Sequence, residues 1–246
     1  MKGLALKNTI MNTEPPCASS PGGFTLIEMA IVLLIVTLLL GGLLMPLSAQ
    51  VEQRNIGETQ RTMDEMKEAV LGYAMANRHL PCPDKVAGAA NGANDTPNDG
   101  IEDFTAAGQC IVQEGNFPWA TMGVGNSDAW GQIYVYRVPA AFSNRAPLAT
   151  FALGSAGTIR ICATAACVAP RLTDSAVAVI VSRGKNQGNC AAGPCADENE
   201  NTDGDDNFVT RVITAPGTPT GEFDDIIDWL SPNILYNRMV AAGSLP

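Results

Sequence analysis

The sequence predicts an α+β fold: a long N-terminal helix, hydrophobic and then amphipathic, packed on a C-terminal antiparallel β-sheet domain. Three observations carry this expectation. Residues 29–47 contain no charged side chain, and as a helix they extend roughly 28 Å, close to the ~30 Å hydrocarbon core of a bilayer. Beyond them Ile56, Met63, Met66, Val70 and Tyr73 recur at helical spacing, while Glu52, Arg54, Glu58, Arg61, Glu65 and Lys67 lie mostly off that stripe. That is the pattern of a helix burying one face. From about residue 80 the chain becomes rich in Gly, Asn, Asp and Ala, which favours turns and short strands over long helices.

Within the apolar segment, Gly41-Gly42 and Pro46 predict a kink or local melting, because Pro removes one backbone hydrogen bond and clashes with the preceding turn. The helix is expected to stop near Arg78, since Pro81 and Pro83 flank Cys82 and cannot continue it. His79, the single histidine, is then a cap or surface residue. After turn-forming stretches between residues 85 and 108, residues 132–138 read as a strand. Ile133, Val135 and Arg137 alternate there with Tyr134, Tyr136 and Val138. Residues 158–163, 176–182 and 207–213 are further strand candidates. The run from Ala176 to Val181 is apolar on both parities, so it reads as the central strand. Ser231-Pro232 marks an N-cap with Pro at the first helical position, opening a short helix that ends by Gly243.

The formal net charge is −10. No basic stripe is available to displace phosphate counterions, so nucleic acid is not expected as a partner for the body of the protein. Nucleophile elbows, phosphate-binding Gly loops and His-rich metal clusters are absent from the sequence, and the chain reads as a non-enzyme.

The run Gly22-Gly23-Phe24-Thr25-Leu26-Ile27-Glu28 stands directly before the uncharged segment. A carboxylate in hydrocarbon costs on the order of 3 kcal/mol unless it is paired, which makes Glu28 functional by default. These residues resemble the type IV pilin and type II secretion pseudopilin class, whose leader ends in Gly and whose mature chain starts Phe-Thr-Leu-Ile-Glu. The resemblance implies that prepilin peptidase, an inner-membrane aspartyl enzyme, cuts between Gly23 and Phe24 and methylates the new Phe24 amine. It divides the chain into a leader (1–23), a transmembrane and assembly helix (24–47), an amphipathic stalk (48–80) and an exported globular domain (81–246). Assembly is expected to pair Glu28 of one subunit with the Phe24 amine of a neighbour. Other pilin or pseudopilin subunits and the inner-membrane assembly platform are the implied partners. The implied place is the bacterial inner membrane, with the C-terminal domain periplasmic and later in a filament or at the cell surface. A secretory signal peptide is the alternative, but Leu47-Ser48-Ala49 makes a poor cleavage site. Loss of Lys2, Lys7 and Glu14 with the leader moves the net charge from −10 to −11.

Cys17 lies in the leader, leaving Cys82, Cys110, Cys162, Cys167, Cys190 and Cys195 in an exported compartment. An even set there reads as disulfides, although six thiols permit many connectivities. Local pairing would join Cys82 to Cys110, Cys162 to Cys167 and Cys190 to Cys195, stabilising by about 3.6 kcal/mol for the first and about 2 kcal/mol for each short loop. The two C-x4-C pairs are also spaced acceptably for structural zinc.

Two segments of the exported part resemble the major pseudopilin of type II secretion: Asp128-Ala129-Trp130-Gly131-Gln132-Ile133-Tyr134-Val135-Tyr136, and Phe223-Asp224-Asp225-Ile226-Ile227-Asp228-Trp229. Ala129 replaces the family's Pro, and the chain is much longer, so a minor subunit fits better. Asn199, Asn201, Asp203, Gly204, Asp205 and Asn207 follow the oxygen-ligand positions of an EF-hand-like calcium loop, with Gly at the sharp turn. Thr210 occupies the position where a bidentate Glu is wanted. Asp224 and Asp225 are the candidates to complete the site, because the resembling pseudopilins bind calcium in a C-terminal loop closed by an Asp. The competing class is a membrane-anchored exported module that binds a ligand or a surface.

Overall fold

Helix α1 (Leu26–Asn77) opens the structure, a computed structural model that describes residues 23–88, 95–145, 151–188, 190 and 195–245, without the side chains of 42–47. The leader, Gly23 excepted, lies outside the described residues. The chain divides into two units, Met1–Ala49 and Gln50–Pro246.

In the first unit, the described side chains from Gly23 to Gly41 are all exposed, Phe24 and Leu26 most of all. The backbone is helical without a break through Gly41, Gly42 and Pro46, so the expected local melting does not occur. Among the described residues, no helix is long and apolar enough to cross a membrane. The expected span of 24–47 falls partly outside the residues whose side chains are described.

In the second unit, α1 buries Met63, Met66 and Val70 of the stripe read from its periodicity, together with Leu71 and Ala74, while Ile56 and Tyr73 of that stripe are half-buried. The helix ends where Arg78 takes a left-handed conformation (φ 64°) and Leu80 N–H turns to donate to Phe142 O (2.8 Å). His79 is buried rather than exposed, at 7%. Its Nδ1 lies 3.0 Å from Leu80 O and its ring packs edge-on against Tyr73. Desolvation there lowers its pKa.

The α1 face packs on a four-stranded antiparallel sheet of β1 (Glu114–Asn116), β2 (Val135–Arg137), β5 (Ala178–Ser182) and β7 (Ile226–Leu230), in the order β1-β2-β5-β7. A second sheet, β4 (Thr173–Ala176), β3 (Ile159–Cys162) and β6 (Asn207–Val209), is ordered β4-β3-β6. Its β3–β4 pair is antiparallel and its β3–β6 pair parallel. The strand period of two divides the side chains between two cores. Tyr134, Tyr136, Val138, Ala178 and Ile180 join the α1 side. Val135, Val179, Val181 and Ile227 meet Ile159, Ile161, Ala176 and Phe208 of the smaller sheet. This explains why β5 is apolar on both parities: it is central and covered on both faces.

The strands are shorter than the runs that predicted them. β4, a polar Thr-Asp-Ser-Ala edge strand, has no apolar alternation to reveal it. Short helices α2 (Trp119–Met122), α3 (Ala140–Ser143) and α4 (Ala196–Glu200) lie in the connections. The last helix, α5 (Pro232–Ala241), begins with Pro at its first turn and buries Leu235 and Met239; Ser231 stands at the N-cap in extended conformation without a side-chain capping bond. Disulfides join Cys82–Cys110, Cys162–Cys167 and Cys190–Cys195, with Cα separations of 5.2, 5.1 and 5.8 Å. Sulfurs so joined are not thiolates, the form a zinc site requires.

Candidate functional site

At the start of α1, Glu28 Oε2 accepts hydrogen bonds from Thr25 N–H (2.8 Å) and Thr25 Oγ1 (2.8 Å). Glu28 N–H donates back to Thr25 Oγ1 (3.3 Å). This reciprocal pair is a capping box, which satisfies backbone donors that a helix start leaves open. The Thr-x-x-Glu spacing was readable in the sequence, so Thr25 is a residue that sequence reasoning passed over. Among the described residues, Glu28 is engaged through one carboxylate oxygen, Oε2. Phe24 beside it is 82% exposed.

Among the described residues, the acidic side chains of the expected calcium site fall into two groups. Residues 196–200 form α4, and one helical turn directs Glu198 inward (0% exposed) and leaves Asn199 exposed. Asn201 is used within the fold: its amide donates to Asp225 Oδ2 (2.7 Å) and Val209 O (3.1 Å), and its Oδ1 accepts from Val209 N–H (2.7 Å). Asp203 and Asp205 gather with Glu200 nearer the surface. Asp205 accepts from both the backbone and the amide of Asn207 (2.6 and 2.8 Å). Arg137 holds this acidic turn to the sheet through Asp206 Oδ1 (2.8 Å) and Gly204 O (2.8 Å).

Asp224 and Asp225 instead meet Glu198. One oxygen from each of the three buried residues lies within 4.8 Å of the others. Glu198 accepts from the Asn186 amide (3.0 Å to each oxygen) and from Asp224 N–H (3.0 Å). Asp224 Oδ2 accepts from Asn186 N–H (3.0 Å), while Asp224 Oδ1 and Asp225 Oδ1 are buried without a hydrogen-bond partner among the described residues. Burial pushes the Asp224 carboxyl up to about 6 and that of Asp225 to about 7, with the Glu198 charge adding to both. The Asn186 N–H and the Asn201 amide offset this in part. Gly184 is confined here: its φ is 58°, and a Cβ would lie 2.4 Å from Asp224 O and 2.5 Å from its Oδ1. Hard oxygen donors, including two orphaned carboxylate atoms, fit a divalent cation of the calcium class. Glu198 is the ligand candidate that the loop spacing had left out.

Two braces position this cluster. Asp197 bonds Arg211 Nε (2.7 Å) and accepts from Ala165 N–H (2.8 Å), fixing α4. Asp128 Oδ1 accepts from Trp130 N–H (2.9 Å) and Gln132 N–H (2.8 Å), while its Oδ2 accepts from Ser182 Oγ (2.6 Å) at the end of β5. Ser182 Oγ in turn accepts from Gly184 N–H (3.3 Å).

Residues 19–44 match the family described as the prokaryotic N-terminal methylation motif. The chain therefore carries the prepilin-type processing motif, consistent with the type IV pilin and pseudopilin class. No curated protein and no solved structure matches the chain.

Proposed function

We propose that this chain is a minor pilin or pseudopilin, a structural subunit of a type IV pilus or a type II secretion pseudopilus. Prepilin peptidase cuts between Gly23 and Phe24 and methylates Phe24. Residues 24–47 hold the subunit in the inner membrane with residues 81–246 outside the cytoplasm. Other pilin subunits and the assembly platform then draw it into a filament. The observation that carries this reading is the methylation motif at residues 19–44, set at the head of the uninterrupted helix Leu26–Asn77. Glu28 serves twice: one oxygen caps its own helix, and the other is available to the Phe24 amine of a neighbour. Calcium bound by Glu198, Asp224 and Asp225 would neutralise carboxylates that are otherwise buried together, and so order the C-terminal loop.

Expression in cells with and without prepilin peptidase tests the reading. Processing to a shorter, membrane-associated form should depend on the peptidase. Equal processing in both strains contradicts it.

A further inference from the structure

A lysine and an aspartate are sealed together where residues 83–85 run beside residues 95–103. The Lys85 ammonium and the Asp95 carboxylate are in direct contact, and each side chain is only 5% exposed. The two segments are fixed in register around them. Asn98 N–H donates to Lys85 O (3.1 Å), and Asp103 N–H to Pro83 O (3.3 Å). The Asp84 carboxylate accepts from Asn98 N–H and Gly100 N–H (2.9 Å each). Asp103, itself 1% exposed, accepts the Lys85 backbone N–H at 2.8 Å. The Cys82–Cys110 bridge braces the same region.

Taking an ammonium and a carboxylate out of water costs several kcal/mol per ion, which their attraction repays only in part. Condensing the pair to an amide removes both charges. We propose that Lys85 and Asp95 become joined by an intramolecular isopeptide bond, with the neighbouring Asp103 carboxyl carrying the proton. The Lys85 ammonium gives its extra proton to the Asp95 carboxylate through Asp103, and the neutral amine attacks Asp95 Cγ. The Nζ–Cγ bond forms, a Cγ–Oδ bond of the protonated carboxyl breaks, and that oxygen leaves as water. The Nζ proton passes through Asp103 to the leaving oxygen, and nothing is oxidised or reduced. Burial pushes the Asp103 carboxyl up to about 6, with Asp84, Asp95 and Asp99 adding to the effect, so both of its protonation states are accessible near neutral pH.

Intact-mass measurement of the full chain, exported and purified in detergent, decides the matter. The expected mass lies one water below that of the disulfide-bonded chain, counted from the N-terminus and with the N-terminal methylation that the same spectrum finds. Tandem fragmentation should yield a branched peptide joined at Lys85 and Asp95, with no tryptic cut after Lys85. Lys85→Arg, which keeps the charge, and Asp95→Ala should each restore the full mass, and Asp103→Asn should leave most of the chain unlinked. A wild-type mass accounted for by disulfides alone overturns the proposal. So does a water loss that persists in Lys85→Arg, which would place the dehydration elsewhere, as in a succinimide at Asp99-Gly100.

Discussion

Asp128 Oδ2 accepts a 2.6 Å hydrogen bond from Ser182 Oγ, tying the Asp-Ala-Trp-Gly turn to the end of the central strand. Because Ser182 also receives Gly184 N–H, and Gly184 packs against Asp224, the two segments that resemble pseudopilin sequences are joined by a chain of contacts in addition to their shared pairing with β5. Asp128→Ala removes the acceptor for two backbone donors and one buried hydroxyl. It should destabilise the domain by about 2–3 kcal/mol, and Ser182→Ala by about 1 kcal/mol. The double variant should cost less than the sum, because the two share a bond. Denaturant titration followed by tryptophan fluorescence measures all three, and strict additivity would show the pair to be uncoupled.

Calcium should raise the melting temperature of the protein, because a ligand held only by the folded state stabilises it by mass action. Glu198→Gln and Asp225→Asn should abolish the rise. Asp203→Ala should leave it in place, since Asp203 belongs to the outer acidic group. Loss of the response in Asp203→Ala alone would return the site to the loop predicted from spacing.

Without metal, stability should fall as pH rises. The folded Asp224 and Asp225 carboxyls are raised to about 6 and about 7, above the ~3.9 of unfolded Asp. A folded state that holds protons more tightly than the unfolded one is favoured at low pH, so this contribution is complete below about pH 4 and lost as pH climbs through the folded values. Melting in chelator should therefore decline between about pH 5 and pH 8, and Asp224→Asn with Asp225→Asn should flatten the decline. A wild-type profile that rises across that range would refute the assignment.

Glu28→Gln separates two roles. Glutamine can still close the capping box with Thr25, yet it carries no charge for a neighbour's amine. The variant should be processed normally and fail to enter filaments, as scored by sheared-filament immunoblots. Normal incorporation would leave Glu28 as a cap alone.

Much of this was legible in the sequence, and the rest failed for identifiable reasons. The stripe from Met63 to Val70 and the doubly apolar β5 reported their burial directly, because solvent exclusion on known faces leaves a period. The polar edge strand β4 and the parallel β3–β6 pair left none, since pairing across distant segments is a tertiary outcome. Calcium-loop spacing did not foresee α4 at residues 196–200, which turns Glu198 inward and leaves Asn199 exposed. His79 looked exposed at a helix end, but its ring packs edge-on against Tyr73 and is buried.

The central claim is tested most directly at the N-terminus. Mass spectrometry of the mature protein from cells that carry prepilin peptidase should find a chain that begins with N-methylated Phe24. A chain beginning at Ala49 or Gln50, or one that keeps the leader, would contradict the account.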